Sequence, residues 1–248
     1  MISPDVEDLW ASIRGRASAE GIRWLEESVE AVAGEPGTIA AVFPAVGRKV
    51  GRVPLDPEAD PDDLHAWRLD DAGRALLLAA LGASGGGELE ELYRYGDADE
   101  RRGVLRALPL LPVGDSAVPL VEDALRTNDL RLIAAALGPY AFEHLDDAAL
   151  AQGILKCVFL EVPISPLEGL DARATPEMAR MLADYVHERV AAGRDVPAEV
   201  WLIIERFPPP EELDAIIAEL RHPVDERRQA AERALAHSRV LRSRDANL

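Results

Sequence analysis

The chain has 248 residues, of which 48% are hydrophobic and only 5% aromatic, a composition that suits a globular or repeat-type helical protein. Its formal net charge of −18 argues against binding to a nucleic-acid backbone or to an anionic membrane. The single cysteine, Cys157, excludes an internal disulfide and a Cys-x-x-Cys metal site.

Residues 1–84 are predicted to form an N-terminal helical segment. Asp5 belongs to the Ser-Pro-Asp sequence that starts the first helix, and Ser18 is expected to begin a second helix that ends at Gly34. The N-terminus lacks a basic region followed by an apolar run, so the sequence predicts no secretory signal.

The second half of this segment is predicted to be less regular. Residues 37–53 contain scattered glycines without the spacing of a phosphate-binding loop, and we expect a short helix and an extended connection there. Residues 55–67 are rich in Pro and Asp and indicate an exposed loop. A helix over 69–83 then leads into the glycine run 84–87, which is the best candidate for a hinge.

Residues 88–206 are predicted to form a helical-repeat core, and residues 207–248 to form HEAT-like helices followed by a basic, frayed tail. Helical units of about 12–18 residues follow one another across tight turns, and strand-like alternation between hairpin turns is absent from the sequence. The period of roughly 35–40 residues per helix pair is typical of HEAT repeats. The sequence therefore predicts an all-α protein, a HEAT/armadillo-like α-solenoid of antiparallel helix pairs.

Two helices in residues 146–194 carry the most informative polar residues. Asp146 is expected to cap the first, and Thr175 the second, which should end near Gly193. Upstream of them, Asn128 is expected to cap a helix of its own.

The first of these two helices is apolar on nearly all sides, so its charged residues need an explanation. One interpretation places Lys156 toward solvent and Glu161 in the last, frayed turn. The other places both residues at the wall of a pocket. Cys157 lies on the apolar stripe, which predicts a buried, reduced and poorly reactive thiol.

The second helix carries Arg189 on its apolar face, where an arginine requires a negative partner. We predict that Glu161 or Asp171 supplies this carboxylate. The alternative is that Arg189 points into a pocket with Lys156 and binds an anionic ligand.

Three further residues of the second helix, Asp184, His187 and Glu188, share one flank. This spacing is common on ordinary solvated helices, so a metal site is not predicted, although the three could serve as ligands. The sequence predicts no cofactor.

Four segments of the sequence resemble EboA-domain proteins. They are LKCVF at 155–159, EGLDARATPEMARMLADY at 168–185, HERVAAGR at 187–194 and PAEVW at 197–201, and a diverged match at 127–145 precedes them. The resemblance covers roughly residues 90–205. It implies a component of an Ebo gene cluster, a type of cluster linked to making or exporting small secondary metabolites alongside a prenyltransferase-like membrane protein and sugar- or cyclitol-type enzymes. It implies no catalytic mechanism.

The chain departs from the family pattern at two places. Ala151-Gln152 stands where the family tends to have Asn-Gln, and Leu137-Gly138-Pro139-Tyr140 replaces an Asn-rich approach to Pro-Tyr. Roles that the resemblance implies for the side chains that differ therefore do not carry over to this chain, whereas Gln152 and Tyr140 match the pattern and stay candidates.

Two functions stay open at this point. One is a cytoplasmic accessory or interaction protein of secondary-metabolite biosynthesis or export, which binds other proteins of the pathway and, as a further option, a small polar or prenylated metabolite. The other is an enzyme of the same pathway with its site in residues 128–194, although no complete catalytic motif is present. Neither nucleic acid nor an integral membrane segment is expected. The candidate ligand-binding residues are Asn128, Asp129, Tyr140, His144, Gln152, Lys156, Glu161, Arg173, Asp184, His187, Glu188, Arg189 and Arg194.

Overall fold

A computed structural model describes residues 4–82 and 86–245 of the chain. Within those residues the fold is helical, and the only β-type pairing is a single antiparallel bridge between Pro54 and Arg68. The all-α prediction is therefore confirmed. The chain forms two compact units, residues 1–145 (unit 1) and 146–248 (unit 2), and each is considered by itself. The division into 1–84, 88–206 and 207–248 stays a prediction.

The α-helices of unit 1 are joined by short loops and 3₁₀ turns. They are α1 (Val6–Arg16), α2 (Ala19–Gly34), α3 (Ile39–Val42), α4 (Val46–Lys49), α5 (Leu69–Ala80), α6 (Gly86–Tyr95), α7 (Ala98–Ala107), α8 (Val118–Arg126), α9 (Leu130–Ala136) and α10 (Pro139–His144).

Helix starts in unit 1 follow the expected capping chemistry, with one correction. Asp5 and Ser18 accept backbone N–H groups at the starts of α1 and α2, the positions at which the sequence predicted that these helices begin. Helix α9 is capped by Asp129 and not by Asn128, because the Asp129 carboxylate accepts the backbone N–H of Arg131 at 3.0 Å. Asn128 is exposed one residue earlier.

The predicted hinge at the glycine run lies partly outside the described residues, since 83–85 are not among them. Helix α5 ends at Ala80, three residues before the predicted end, and Gly86 and Gly87 already belong to α6.

Helix α5 is the centre of unit 1. It packs against α1, α2, α4 and α7, and α7 in turn contacts α6 and α9. Gly73 permits the close approach of α4, because a Cβ atom at this position would lie 2.7 Å from Cγ1 of Val46. Most residues of α5 are buried, including Asp70, Asp71 and Arg74, so a fully surrounded helix carries charge into the core of this unit.

The α-helices of unit 2 pack around one long helix. They are α11 (Asp147–Phe159), α12 (Leu170–Arg173), α13 (Pro176–Ala191), α14 (Trp201–Ile204), α15 (Pro210–Ala218), α16 (Asp225–His237) and α17 (Arg239–Asp245). Helix α13 contacts α11, α14, α15 and α16. Asp146 and Thr175 cap α11 and α13, and Gly193 follows the end of α13 with φ of 71°, all as predicted.

The basic C-terminal tail is more ordered than the sequence suggests. Residues 239–245 form α17, Leu241 is buried, and Arg244 makes a bidentate ion pair with Asp214. The prediction of a frayed tail was therefore wrong up to residue 245. Arg244 attaches this segment to α15, and Arg239 attaches it to the Glu205 carboxylate after α14.

Candidate functional site

The candidates at the end of unit 1 are occupied in local contacts. The buried Tyr140 hydroxyl donates a hydrogen bond to the carbonyl of Gly114, and burial raises the pKa of this phenol. The His144 ring stacks on Tyr140 with centroids 4.3 Å apart, and its Nδ1 lies 2.7 Å from Oδ1 of Asp115. These contacts tie α10 to the turn at residue 114.

Asp129 is likewise engaged within unit 1. Its carboxylate makes a short ion pair with Arg131, with Nη2 and Oδ2 2.8 Å apart, and this hydrogen bonding lowers the pKa of Asp129. The residue caps α9 and orients Arg131.

Several candidates in unit 2 also have structural partners. Arg173 pairs with Asp147 at 2.9 Å, and Nε2 of His187 lies 3.4 Å from the Glu219 carboxylate. Arg227 binds the same carboxylate and lowers the pKa of Glu219. The side chains of Gln152, Asp184, Glu188 and Arg194 are exposed. Among the described residues, no group of three or more His, Cys, Asp or Glu could hold a metal ion.

Cys157 is fully buried in α11, next to the half-buried Lys156. Burial raises the pKa of the thiol to about 12, and the negative charge of Glu199 acts in the same direction. The thiolate is therefore scarce at neutral pH, which supports the prediction of a poorly reactive cysteine.

Two of the candidates, Glu161 and Arg189, line one cleft of about 380 Å³ in unit 2. One wall is the end of α11 and the residues after it, and the other is Arg189 with the loop that follows α13. The lining consists of Val158, Glu161, Val162, Pro163, Arg189, Asp195, Val196, Pro197 and Glu199. We call this the Arg189 cleft.

Glu161 adopts a left-handed backbone conformation, with φ of 58°, and is the one non-glycine residue with positive φ among the described residues. It occupies the position after the C-cap of α11 that glycine usually takes. The N–H groups of Glu161 and Val162 bond back to the carbonyls of Val158 and Cys157, which is the Schellman pattern. A glutamate here carries backbone strain, a feature often found at functional sites.

Arg189 is half-buried, and its Nε donates to the backbone carbonyl of Asp195 at 2.7 Å. The guanidinium also lies 5.9 Å from the ring centre of Tyr185. Within residues 4–82 and 86–245 it forms no ion pair, so the predicted carboxylate partner was wrong: Glu161 lies beyond ion-pair distance and Asp171 pairs with Arg206. The chain turns back after α13, and a carbonyl takes the place of the expected carboxylate.

The carboxylates beside Arg189 hold the walls of the cleft in place. Glu199 accepts the Ile164 N–H at 2.6 Å and the Ser165 hydroxyl at 2.5 Å, which fixes the segment after α11. Asp195 accepts from Nε of Arg233 at 2.5 Å. Glu199 is therefore bound by neutral donors and Asp195 by a cation, whereas Arg189 and Glu161 are the charged residues of the cleft that make no hydrogen bond or ion pair with another side chain in the described part of the chain.

Sequence reasoning missed a buried charge network in unit 1. Asp70, Asp71, Arg74 and Arg102 are each at most 3% exposed. Arg74 binds Asp70 at 2.8 Å, and Arg102 binds Asp71 at 2.9 Å. The sequence feature that could have indicated this network is the segment LDDAGRALLL, in which charged residues interrupt a helix that is otherwise apolar on every side.

The two sets of charges have different chemical capacities. In the unit 1 network each cation faces an anion. Burial raises the pKa of Asp71, and the positive charge of Arg102 acts in the opposite direction and lowers it. In the Arg189 cleft the Nη groups remain available to bind a carboxylate or phosphate, and Glu161 is available to accept a hydrogen bond from a hydroxyl or amine.

One of the comparisons with known proteins finds a match. A family model described as "Metabolite traffic protein EboA" matches residues 6–205. This match includes α1–α5 and so extends well beyond residues 90–205, the range of the resemblance seen in the sequence. No curated protein and no solved structure matches the chain. In the described part of the chain, the helices are too short or too polar to cross a bilayer. Since the match covers most of its length, the chain belongs to the EboA family.

Proposed function

We propose that this chain is a cytoplasmic accessory protein of metabolite traffic that binds a small acidic metabolite in the Arg189 cleft. The observation that carries the proposal is a half-buried arginine on the wall of the cleft whose guanidinium is held by a backbone carbonyl and not by a carboxylate. The family description supports the metabolite, and the cleft supports its site.

The chemistry of the cleft defines the ligand class. A volume of about 380 Å³ falls at the low end of small-molecule sites. Apolar side chains such as Val162 and Val196 would cover the body of the ligand, while Arg189 binds a carboxylate or phosphate through its fork of N–H groups. Glu161 would repel a second negative charge and accept a hydrogen bond. The best fit is a compact molecule with one acidic group and at least one hydroxyl or amine.

The fixed walls favour binding over chemistry. Glu199 and Asp195 are engaged with Ile164, Ser165 and Arg233, so the cleft needs little reorganisation when a ligand enters. The nearby Cys157 thiol is buried and has a raised pKa, which makes it a poor nucleophile.

The proposal includes the solenoid arrangement and protein partners from the same pathway. In unit 1, α5 contacts α7 and α7 contacts α9, and in unit 2, α11 contacts α13 and α13 contacts α15. Successive contacts of this kind are typical of helical repeats. Such proteins commonly present extended surfaces to partners.

The test is retention of metabolites by the pure protein. Immobilised wild type is incubated with a small-molecule extract of the native host, washed and denatured, and the released compounds are identified by negative-ion mass spectrometry. We expect one acidic compound or a small group of them to be retained by the wild type and lost from Arg189→Leu, because a carboxylate or phosphate loses its only cation in the cleft.

Arg194→Leu is the matched control, because Arg194 is an exposed arginine outside the cleft. It should retain the same compounds as the wild type. Arg189→Lys should weaken retention without abolishing it, since lysine keeps the charge but not the fork geometry. Equal retention by the wild type and by Arg189→Leu would overturn the proposed site.

A further inference from the structure

A second concave surface lies in unit 1, between the segment 37–44 and the corner where α6 meets α7. This groove has a volume of about 360 Å³. Its lining consists of Gly37, Ile39, Ala40, Pro44, Glu88, Glu91, Leu92, Tyr95, Gly96 and Glu100. We call it the Tyr95 groove.

Tyr95 is 78% exposed, the most exposed large hydrophobic residue among those the structure describes. It stands at the end of α6, next to Leu92 and across from the small residues Gly37 and Ala40. Gly96 is required at this corner, because a Cβ there would lie 2.5 Å from the Leu92 carbonyl oxygen and 2.9 Å from Cβ of Glu100. The turn thus brings an aromatic face, an apolar floor and α7 together.

The charged residues that line the groove are all acidic, and the nearest cation given for its aromatic residue is Arg94, whose guanidinium lies 5.8 Å from the Tyr95 ring centre. Glu88, Glu91 and Glu100 line it, and its lining contains neither lysine nor arginine. Glu100 accepts the Asp97 backbone N–H at 2.9 Å, whereas Glu88 and Glu91 have no ionic partner in the described residues. Unit 1 as a whole has 26 acidic and 14 basic residues, so the surrounding field also attracts cations.

From this combination we infer that the Tyr95 groove docks a basic, amphipathic segment of a partner protein. An apolar side chain of the partner packs on Ile39 and Leu92. An adjacent lysine or arginine lays its aliphatic stem on Tyr95 and places its charge between Glu88 and Glu91. Charge complementarity of this kind steers association and selects the partner, which suits an adaptor in metabolite traffic. The site is separate from the Arg189 cleft and does not depend on it.

The direct test uses a fluorescent peptide of about ten residues with alternating lysine and leucine, titrated with the full chain and followed by anisotropy. Tyr95→Ala and the pair Glu88→Gln/Glu91→Gln should each weaken binding about tenfold, and a Glu–Leu peptide should not bind. Gly37→Phe should block the groove without harming the fold, because the space around a Cβ at Gly37 is empty within 4 Å.

The matched control is Glu27→Gln/Glu30→Gln, which removes the same charge at the same spacing from exposed residues of α2. This control should change the affinity for the peptide less than about twofold, because it alters only the net charge of the protein. Equal weakening by both pairs, or unchanged binding to Gly37→Phe, would overturn the proposal. Full displacement of the peptide by millimolar butylammonium would also count against it, because the groove would then be a site for small amines.

Discussion

The buried network of unit 1 and the Arg189 cleft of unit 2 use the same chemical groups in opposite ways. Asp71 and Arg102 lie in the core, and their side chains face each other at 2.9 Å. Arg189 is half-buried at the wall of a cleft, and in the described part of the chain the Asp195 carbonyl is the only hydrogen-bond partner of its guanidinium.

This difference separates charges that hold the fold from charges that are available to a ligand. A buried ion pair contributes little net stability, but removing one partner leaves an unpaired charge in the core. An arginine bound to a carbonyl keeps most of its donors for another molecule, and losing it leaves no buried charge behind. The comparison predicts large effects on stability from the first set of residues and small ones from the second.

The largest effect is expected from Asp71→Ala. Asp71 accepts hydrogen bonds from Nε of Arg102 and from the backbone N–H of Arg68, so the substitution leaves a buried guanidinium without its nearest partner and uncaps α5. We expect the free energy of unfolding to fall by about 3–5 kcal/mol, measured by urea denaturation.

Asp62→Ala serves as the control for this prediction. Asp62 is an exposed aspartate in the loop before α5, and its removal should change the free energy of unfolding by less than about 0.5 kcal/mol. Similar small losses in both variants would mean that the network does not support the core of unit 1.

A smaller effect of opposite sign is expected from Glu161→Gly. The left-handed conformation costs a non-glycine residue about 1–2 kcal/mol. Glycine removes this cost, but its greater flexibility stabilises the unfolded chain by about 0.5–1 kcal/mol. The variant should therefore be more stable than the wild type, by up to about 1 kcal/mol in urea denaturation.

Gly193→Ala is the counterpart of Glu161→Gly at the end of α13. Its φ is 71°, and a Cβ would lie 3.1 Å from Cβ of Glu226, so this change should destabilise the protein by about 1–2 kcal/mol. A loss of stability in Glu161→Gly would show that the glutamate side chain stabilises the free protein and that strain is not stored there.

Much of the fold follows from local chemistry that a sequence displays. The caps Asp5, Ser18, Asp146 and Thr175 and the glycine after α13 were predictable, because each acts within one helical turn. Tertiary contacts could not be predicted from the sequence. The Arg102–Asp71 pair spans 31 residues, and helical periodicity does not indicate which helices pack together.

The site was predicted in part for the same reason. The position of Arg189 on an apolar face indicated a buried or binding role. The interpretation that placed Lys156 and Glu161 at the wall of a pocket agrees with the cleft for Glu161 only, because Lys156 is not among the residues that line it. The identity of the group that binds Arg189 depends on how the chain turns after Gly193, and a backbone carbonyl has no sequence signal. The Tyr95 groove was missed because its segments are about 50 residues apart in sequence, and contacts at such separation leave no periodic pattern.

A small loss of stability is expected from Arg189→Leu, in contrast to the large loss from Asp71→Ala. The variant loses one hydrogen bond to the Asp195 carbonyl, worth about 0.5–1.5 kcal/mol, and leucine recovers part of this by packing against Tyr185. The free energy of unfolding should therefore fall by about 1 kcal/mol or less, a shift in melting temperature of about 2–4 °C in a chain of this size. A hidden carboxylate partner would instead be left unpaired, with a loss of about 3–5 kcal/mol, as for Asp71→Ala. A stable variant that no longer retains the acidic metabolite would show that Arg189 serves a ligand, whereas a strongly destabilised one would place it with the structural charges of unit 1.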